Sequence, residues 1–238
     1  MSRDSLAAVT RAVVACERCP RLRLWCRKVA REKVRRFAQE DYWGRPVPGF
    51  GDPRARLLIV GLAPAAHGGN RTGRVFTGDR SGDFLFAGLH RAGFASQASS
   101  RSRRDGLKLK GAYIAPLVRC APPANKPARE EAARCREYLA REWALLPRVR
   151  AILALGRIAM EGVLSLLKDE GRVPRRAFAF GHGVVHDLGG GLALFASYHP
   201  SQQNTFTGRL TEGAFDAVLR NVRRHLAGRA GTLKARPA

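Results

Sequence analysis

Four short apolar runs, each bounded by glycine or proline, stand out along the chain. The first, RLLIVGLAP, occupies residues 56–64, and the others begin at Gly111, Ala151 and Leu192. Runs of this length with such boundaries are typical of buried strands. The pattern therefore predicts four strands separated by longer segments.

The segments between and after these runs have the period of amphipathic helices. Helices are predicted over residues 81–93, 128–146, 156–171 and 211–229, several of them starting with hydroxyl or acidic residues and ending at glycine. Strands that alternate with helices favour a mainly parallel sheet covered on both faces. We expect a three-layer α/β/α fold with a mainly parallel four-stranded sheet and with functional loops at the carboxyl ends of the strands.

The chain of 238 residues is long enough for one large domain, and we expect a single one. Residues 1–50 form a basic, partly helical N-terminal arm, residues 51–228 the core, and residues 229–238 a disordered tail. The basic, serine-rich segment 96–111 is expected to be a mobile, solvated loop. The sequence contains no apolar run near the ~18 residues of a membrane span and no signal-peptide core, which predicts a soluble, cytoplasmic protein. We also expect the protein to be a monomer.

Charge narrows the class of partner. Lys and Arg total 43 against 19 Asp and Glu, for a formal net charge of +24. A surplus of this size favours a polyanionic partner, of which nucleic acid is the commonest. Biased coding composition would also enrich Arg, Ala and Gly, but it would not by itself suppress acidic residues so strongly.

Four of the five cysteines suggest one metal site. Cys16 and Cys19 form a C-x-x-C pair, while Cys120 and Cys135 are distant single residues. Zinc ribbons and fingers usually carry two close pairs, whereas iron–sulfur clusters are commonly held by four thiolates. We therefore expect a 4Fe-4S cluster, with zinc as the main alternative and unligated buried thiols as a weaker one. Cys26 is expected to be a spectator.

Polar loops follow three of the predicted strands. They are GLAPAAHGGNRTGRVFTGDRSGDFL at 61–85, RCAPPANKP at 119–127 and SYHPSQQNTFTGRLT at 197–211. Together with the four cysteines, these motifs resemble the iron–sulfur branch of the uracil-DNA glycosylase superfamily, and most closely its type-5 family. The resemblance spans roughly residues 10–228. It implies a DNA glycosylase that excises uracil and other deaminated bases and leaves an abasic site.

The resemblance assigns roles to three residues that would be ordinary on their own. His199 matches the histidine that donates to the departing base, although strand-end histidines are common. Asn125 matches the base-reading amide, whose donor and acceptor suit the uracil edge, although the same residue fits a turn. Phe76 matches the aromatic ring that stacks on the flipped base, although an isolated Phe is usually a core residue.

The resemblance also places Asp79 beside the sugar, where a carboxylate positions water or stabilises a cationic sugar. By sequence alone, Asp79 also fits a helix cap. Residues 62–65 lack the acid or amide that many branches of the superfamily carry there, an absence that type-5 enzymes share. We expect Ala63, His67 and Gly68 to line the pocket, and such small residues would also admit a purine such as hypoxanthine.

For DNA, preferably double-stranded, the wedge candidates are Gln202, Gln203 and Phe206. Phosphate contacts are expected from Arg209 and from basic residues within 71–80, 101–110 and 205–210. Two other readings are open: a non-catalytic iron–sulfur nucleic-acid-binding protein, and a nucleotide-binding α/β enzyme. The latter ranks last because the chain has neither a P-loop lysine motif nor a complete dinucleotide fingerprint.

Overall fold

A computed structural model describes residues 4–173 and 177–228. Its sheet has six strands in the spatial order β1-β3-β2-β4-β6-β5. These strands are β1 (Phe50–Gly51), β2 (Leu57–Gly61), β3 (Ala112–Pro116), β4 (Ala151–Leu155), β5 (Val185–Gly189) and β6 (Leu192–Ser197).

The four predicted strands are the parallel centre of this sheet, namely β2, β3, β4 and β6. The predicted number of strands was wrong by two, because β1 and β5 add one antiparallel strand at each edge. β1 is only two residues long and lies in a Pro/Gly-rich loop, so it has no apolar run to reveal it. β5 is polar and mostly exposed or half-buried, as an edge strand allows.

Alternation along the strands divides the core into two layers. On β2, Leu58 and Val60 pack into one apolar cluster, while Leu57 and Ile59 pack into the other. Because strand side chains alternate with a period of two, a central strand covered on both faces is apolar at every position. This confirms the expected three-layer α/β/α arrangement.

Helices cover the two faces unequally. One face carries α1 (Leu6–Val14), α2 (Pro20–Glu32), α5 (Arg129–Ala144) and α6 (Arg157–Asp169). The other carries α4 (Arg80–Arg91) and α8 (Glu212–Leu226). The short helices α3 (Gly69–Thr72) and α7 (Gln202–Phe206) lie in loops after β2 and β6. The four predicted helices are thus confirmed as α4, α5, α6 and α8.

The N-terminal arm is two helices that pack on the core. The segment containing Cys16 and Cys19 separates α1 from α2, and Arg18 and Arg21 within and after it pair with Glu137 and Glu131 of α5. The predicted tail, 229–238, lies outside the described residues. No helix in the described part of the chain has the length and apolar character needed to cross a membrane.

Candidate active site

Polar loops from several strand ends surround one cleft of about 870 Å³. The loop after β2 supplies its small wall, the start of α4 supplies a carboxylate, and the loops after β3 and β6 supply amides. This convergence follows from parallel strands, whose carboxyl ends share one edge of the sheet. Residues lining the cleft include Ala65, Ala66, His67, Gly68, Asp79, Arg80, Asn125 and Gln202.

Asp79 caps α4 and faces the cleft. Its Oδ1 accepts the Gly82 backbone N–H at 2.9 Å, so the predicted cap and the predicted cleft position are both present. A side chain at Gly68 would overlap the Asp79 carboxylate, which explains why glycine is needed there. Burial raises the pKa of Asp79 above its usual range, while the Gly82 hydrogen bond opposes the rise.

His199 and Phe76 form a ring pair above the carboxyl ends of β2 and β4. Their ring centroids are 5.8 Å apart at an interplanar angle of 33°. The Phe76 ring lies over Gly61, where a Cβ would come within 2.8 Å of it. Burial lowers the pKa of His199 to about 4, so the imidazole is neutral at pH 7. A neutral imidazole is both a donor and an acceptor.

The backbone after His199 is held tightly. Its carbonyl oxygen accepts the Ser201 backbone N–H at 2.8 Å and the Asn204 side-chain amide at 2.9 Å. Ser201 then caps α7 by accepting the Asn204 backbone N–H. The polar run after β6 is therefore one capped helical turn fixed to the histidine that precedes it.

Asn125 and His67 line the cleft, whereas the predicted pocket residues Ala63, Phe76 and His199 are not part of its lining. Asn125 has φ of 57° and is exposed, a backbone conformation that Asn tolerates better than most residues. Ala63 packs against the apolar cluster beneath α5 and α6, and Ala65 and Ala66 form the small wall instead.

One wall of this cleft was not predicted from the sequence. A segment we call the strap, residues 34–44, brings Arg36, Phe37 and Glu40 to the lining. Glu40 is ion-paired with Arg71, whose guanidinium also lies 3.8 Å from the Phe37 ring centroid. The strap has neither strong periodicity nor a motif, so only the fold places it against the loop after β2.

Two of the basic residues predicted to contact phosphate are internal. Arg71 is buried and donates to the carbonyl oxygens of His67 and Gly78 at 2.8 and 2.7 Å. Arg74 is buried and donates to both oxygens of Asp105 at 2.9 and 2.7 Å. The prediction was wrong for both, because each guanidinium is used to hold loops together. Asp105 also anchors segment 96–111, which we had expected to be free in solvent.

The wedge candidates differ in position. Gln202 lines the cleft, whereas Phe206 at the end of α7 is 66% exposed. The Arg80 guanidinium lies 5.2 Å from the Phe206 ring centroid, and that of Arg209 lies 4.4 Å from the Tyr198 ring. Arg80 and Phe206 together extend the rim of the cleft with one exposed ring and one cation.

The four predicted ligand cysteines come from three separate segments into one region of the core, namely the α1–α2 connection, the loop after β3 and α5. Cys19, Cys120 and Cys135 are buried in the same apolar cluster, and Cys16 packs against it. Burial raises the pKa of Cys135 to about 11, and the nearby thiols of Cys120 and Cys16 add to the rise. Among residues 4–173 and 177–228, no three His, Cys, Asp or Glu side chains are grouped as ligands of a single metal ion.

Comparison with known proteins identifies the family to which this chain belongs. The family model of the uracil DNA glycosylase superfamily matches residues 48–223. The type-5 uracil-DNA glycosylase of Mycobacterium bovis is 50% identical over 94% of this chain and 82% of its own length. That of Thermus thermophilus is 51% identical over 93% and 98%, and that of Pyrobaculum aerophilum 46% over 88% and 88%. The chain therefore belongs to the uracil DNA glycosylase superfamily, within its type-5 family.

Proposed function

We propose that this chain is a monofunctional DNA glycosylase, which flips uracil out of DNA, hydrolyses its glycosidic bond and leaves an abasic site. The observation that carries this function is the neutral, half-buried His199 paired with the Phe76 ring, together with a cleft that holds Asp79 and Asn125. The described lining of the cleft contains arginines but no lysine that could form a Schiff base and cleave the strand.

Cleavage of the glycosidic bond places negative charge on the base and positive charge on the sugar. As the bond between the sugar C1′ and the base nitrogen breaks, its electron pair goes to the base and positive charge grows on the sugar. A neutral His199 donates a hydrogen bond to the carbonyl oxygen of the departing base, where negative charge gathers. The Asp79 carboxylate stabilises the sugar and orients the water that adds to C1′, and the proton lost from the water balances the charge of the base.

The lack of a polar side chain at residues 62–65 leaves Asp79 as the principal carboxylate for this step. The cleft lining also contains Asp83 and Glu40, but Asp83 is exposed and four residues along α4, and Glu40 is ion-paired with Arg71. Asp79 is half-buried and lies at the N-terminus of α4, where the helix dipole favours a carboxylate. Burial raises the pKa of Asp79 and the helix N-terminus lowers it, so the two effects oppose each other. The carboxylate is held by its cap hydrogen bond and is only partly solvated.

The substrate range should extend beyond uracil. Ala65, Ala66 and Gly68 give the cleft a small-residue wall, and its volume of about 870 Å³ leaves space for a purine. We propose that hypoxanthine is also excised. In a competition assay, strict preference for uracil would contradict this breadth.

Duplex DNA would approach across α7. Gln202 in the cleft and the exposed Phe206 at the rim are placed to fill the gap left by an extruded base. The surface around them would bind phosphate through exposed cations such as Arg80 and Arg209. We propose that one copy of the chain suffices, since the groups named above all come from a single chain.

Four cysteines are proposed to hold a 4Fe-4S cluster, which would join the arm to α5 and the loop after β3. The donor chemistry fits, because a four-iron cluster takes one thiolate per iron and so needs no grouping of three ligands around a single ion. The four thiols lie in an apolar region, and the Arg119 backbone N–H donates to Cys135 Sγ at 3.3 Å. When bound, the cluster would serve as a structural link and would take no part in hydrolysis. Visible absorption with four irons per chain would support it, while one zinc and no colour would refute it.

One assay tests the enzyme function. The purified protein is incubated with labelled duplexes carrying uracil, hypoxanthine or only normal bases, and the products are treated with alkali. We expect strand breaks at uracil and hypoxanthine, and none before alkali or in normal DNA. His199→Ala should lose base release but keep DNA binding. Binding without release by the unchanged protein would instead favour the non-catalytic alternative.

A further inference from the structure

The strap fixes one histidine of the cleft through a residue that lies outside the sequence motifs. Tyr42 Oη lies 3.0 Å from His67 Nδ1, and the two rings meet edge to face with centroids 6.0 Å apart. The backbone on both sides is also tied down. Trp43 N donates to Arg71 O at 2.8 Å, and Arg71 Nε donates to His67 O at 2.8 Å. Tyr42 and His67 therefore share a rigid frame.

The direction of the shared proton follows from the acidity of the two groups. Burial raises the pKa of the Tyr42 hydroxyl, so the phenol keeps its proton at pH 7. A phenol O–H is a stronger donor than the N–H of a neutral imidazole, so Tyr42 Oη donates to His67 Nδ1. Burial lowers the pKa of His67, and the Arg71 charge lowers it further, so the ring is neutral. A neutral ring that accepts at Nδ1 carries its proton on Nε2.

The Nε2–H group is available to a ligand. Within the described residues His67 makes one side-chain hydrogen bond, the one to Tyr42, and His67 lines the cleft. We propose that Tyr42 is a positioning residue that presents His67 Nε2–H to the carbonyl group distinguishing a deaminated base from its amino parent. The proposal rests on the proposed glycosylase function and adds to it the basis of base selection.

The chemistry of deamination explains why a fixed donor would be selective. Deamination replaces an exocyclic amino group with a carbonyl at C4 of cytosine or C6 of adenine. A donor held in place gains a hydrogen bond with the carbonyl and meets another donor in the amino base. The same group would therefore accept uracil and reject cytosine among the pyrimidines, and accept hypoxanthine and reject adenine among the purines. A flexible or doubly tautomeric imidazole would not discriminate in this way, because it could turn an acceptor toward the amino group.

The test compares two bases with analogues that lack this carbonyl and the ring N–H beside it, and the ratio between variant and unchanged protein cancels their intrinsic difference in reactivity. We compare kcat/KM for uracil with 2-pyrimidinone, which lacks the 4-carbonyl, and for hypoxanthine with purine, which lacks the 6-carbonyl. In Tyr42→Phe the preference for the carbonyl base should fall about fivefold to tenfold, the value of one hydrogen bond. His67→Gln, which keeps an amide donor, should retain more of the preference than His67→Ala.

The control is Tyr113→Phe. Tyr113 is buried on β3, and its hydroxyl donates to Glu142 away from the cleft, so its loss should leave both ratios unchanged. A second readout is the ¹⁵N spectrum of histidine-labelled protein, in which His67 should be an Nε2–H tautomer that becomes mixed in Tyr42→Phe.

The outcomes separate the two proposals. If the unchanged protein releases no uracil, the proposed function fails and this inference fails with it. If it releases uracil but Tyr42→Phe keeps the full preference for the carbonyl bases, only this inference is overturned. An Nδ1–H tautomer of His67 in the unchanged protein would also overturn it, because the free nitrogen would then be an acceptor.

Discussion

The half-buried, neutral imidazole of His199 leads to a prediction about stability that needs no substrate. Burial lowers the pKa of His199 from 6.5 to about 4 in the fold. In the unfolded chain the ring takes up a proton as the pH falls below 6.5, while the folded ring stays neutral. Stability contributed by the neutral ring is therefore full above pH 6.5 and is lost as the pH falls toward 4.

The size of the loss follows from the shift. With a pKa of about 4 in the fold, the free energy of unfolding at pH 4 should be lower by about 3 kcal/mol than at pH 7.5 on account of His199 alone. His199→Gln removes the titrating group but keeps a polar side chain. We expect the difference in unfolding free energy between the unchanged protein and His199→Gln to change by about 3 kcal/mol between pH 7.5 and pH 4.

The assay is urea unfolding of both proteins at half-unit steps from pH 4 to pH 7.5. Taking the difference between the two proteins cancels the effects of two other groups that titrate in this range. The pKa of Asp105 is lowered by its hydrogen bonds, and the pKa of Asp79 is raised by burial. His90→Gln, a change at an exposed histidine, controls for losing a histidine as such. Parallel curves for the unchanged protein and His199→Gln would refute the neutral donor and, with it, the role given to His199.

Three further outcomes are expected. Glu142→Gln leaves the buried Arg119 without its partner and should destabilise the fold by about 3–5 kcal/mol in urea unfolding. The control Glu137→Gln, at an exposed position on the same helix, should cost about 0.5 kcal/mol or less, and equal losses would contradict the buried pair. Asp79→Asn should keep the cap and the thermal midpoint but lower kcat by about 10²-fold or more in single-turnover base release; retained activity would remove Asp79 from the mechanism. Phe206→Ala should slow release from duplex more than from single-stranded DNA, which equal slowing would disprove.

The layers of the fold could be predicted because each has a local signal. β2 is apolar at all five positions and ends at a glycine, and α8 has both a threonine cap and a stripe that packs on the sheet. β5 had no such signal, since an edge strand with one solvated side needs few apolar residues. Its position depends on pairing with β6, a contact that no local pattern expresses.

The site was predicted where a motif defines it and missed where only packing does. Asp79, Asn125 and His67 lie in recognisable loops, and the structure brings all three to one cleft. Tyr42 lies more than twenty residues before His67, in a segment without periodicity, and only the paired backbones of the strap and α3 bring them together. Arg71 was assigned to phosphate because sequence cannot distinguish a buried cation from an exposed one.

The buried arginines change how the net charge of +24 should be understood. Arg71, Arg74 and Arg119 each pair with one carboxylate, so these three pairs contribute nothing to the total. The surplus therefore comes from side chains outside these pairs, most of which lie on the surface and can reach phosphate. The groups to which base selection and leaving-group stabilisation are assigned, by contrast, are neutral imidazoles and an amide. A cationic donor would favour any anionic group equally, whereas neutral donors fixed in direction respond to where a base carries its carbonyls.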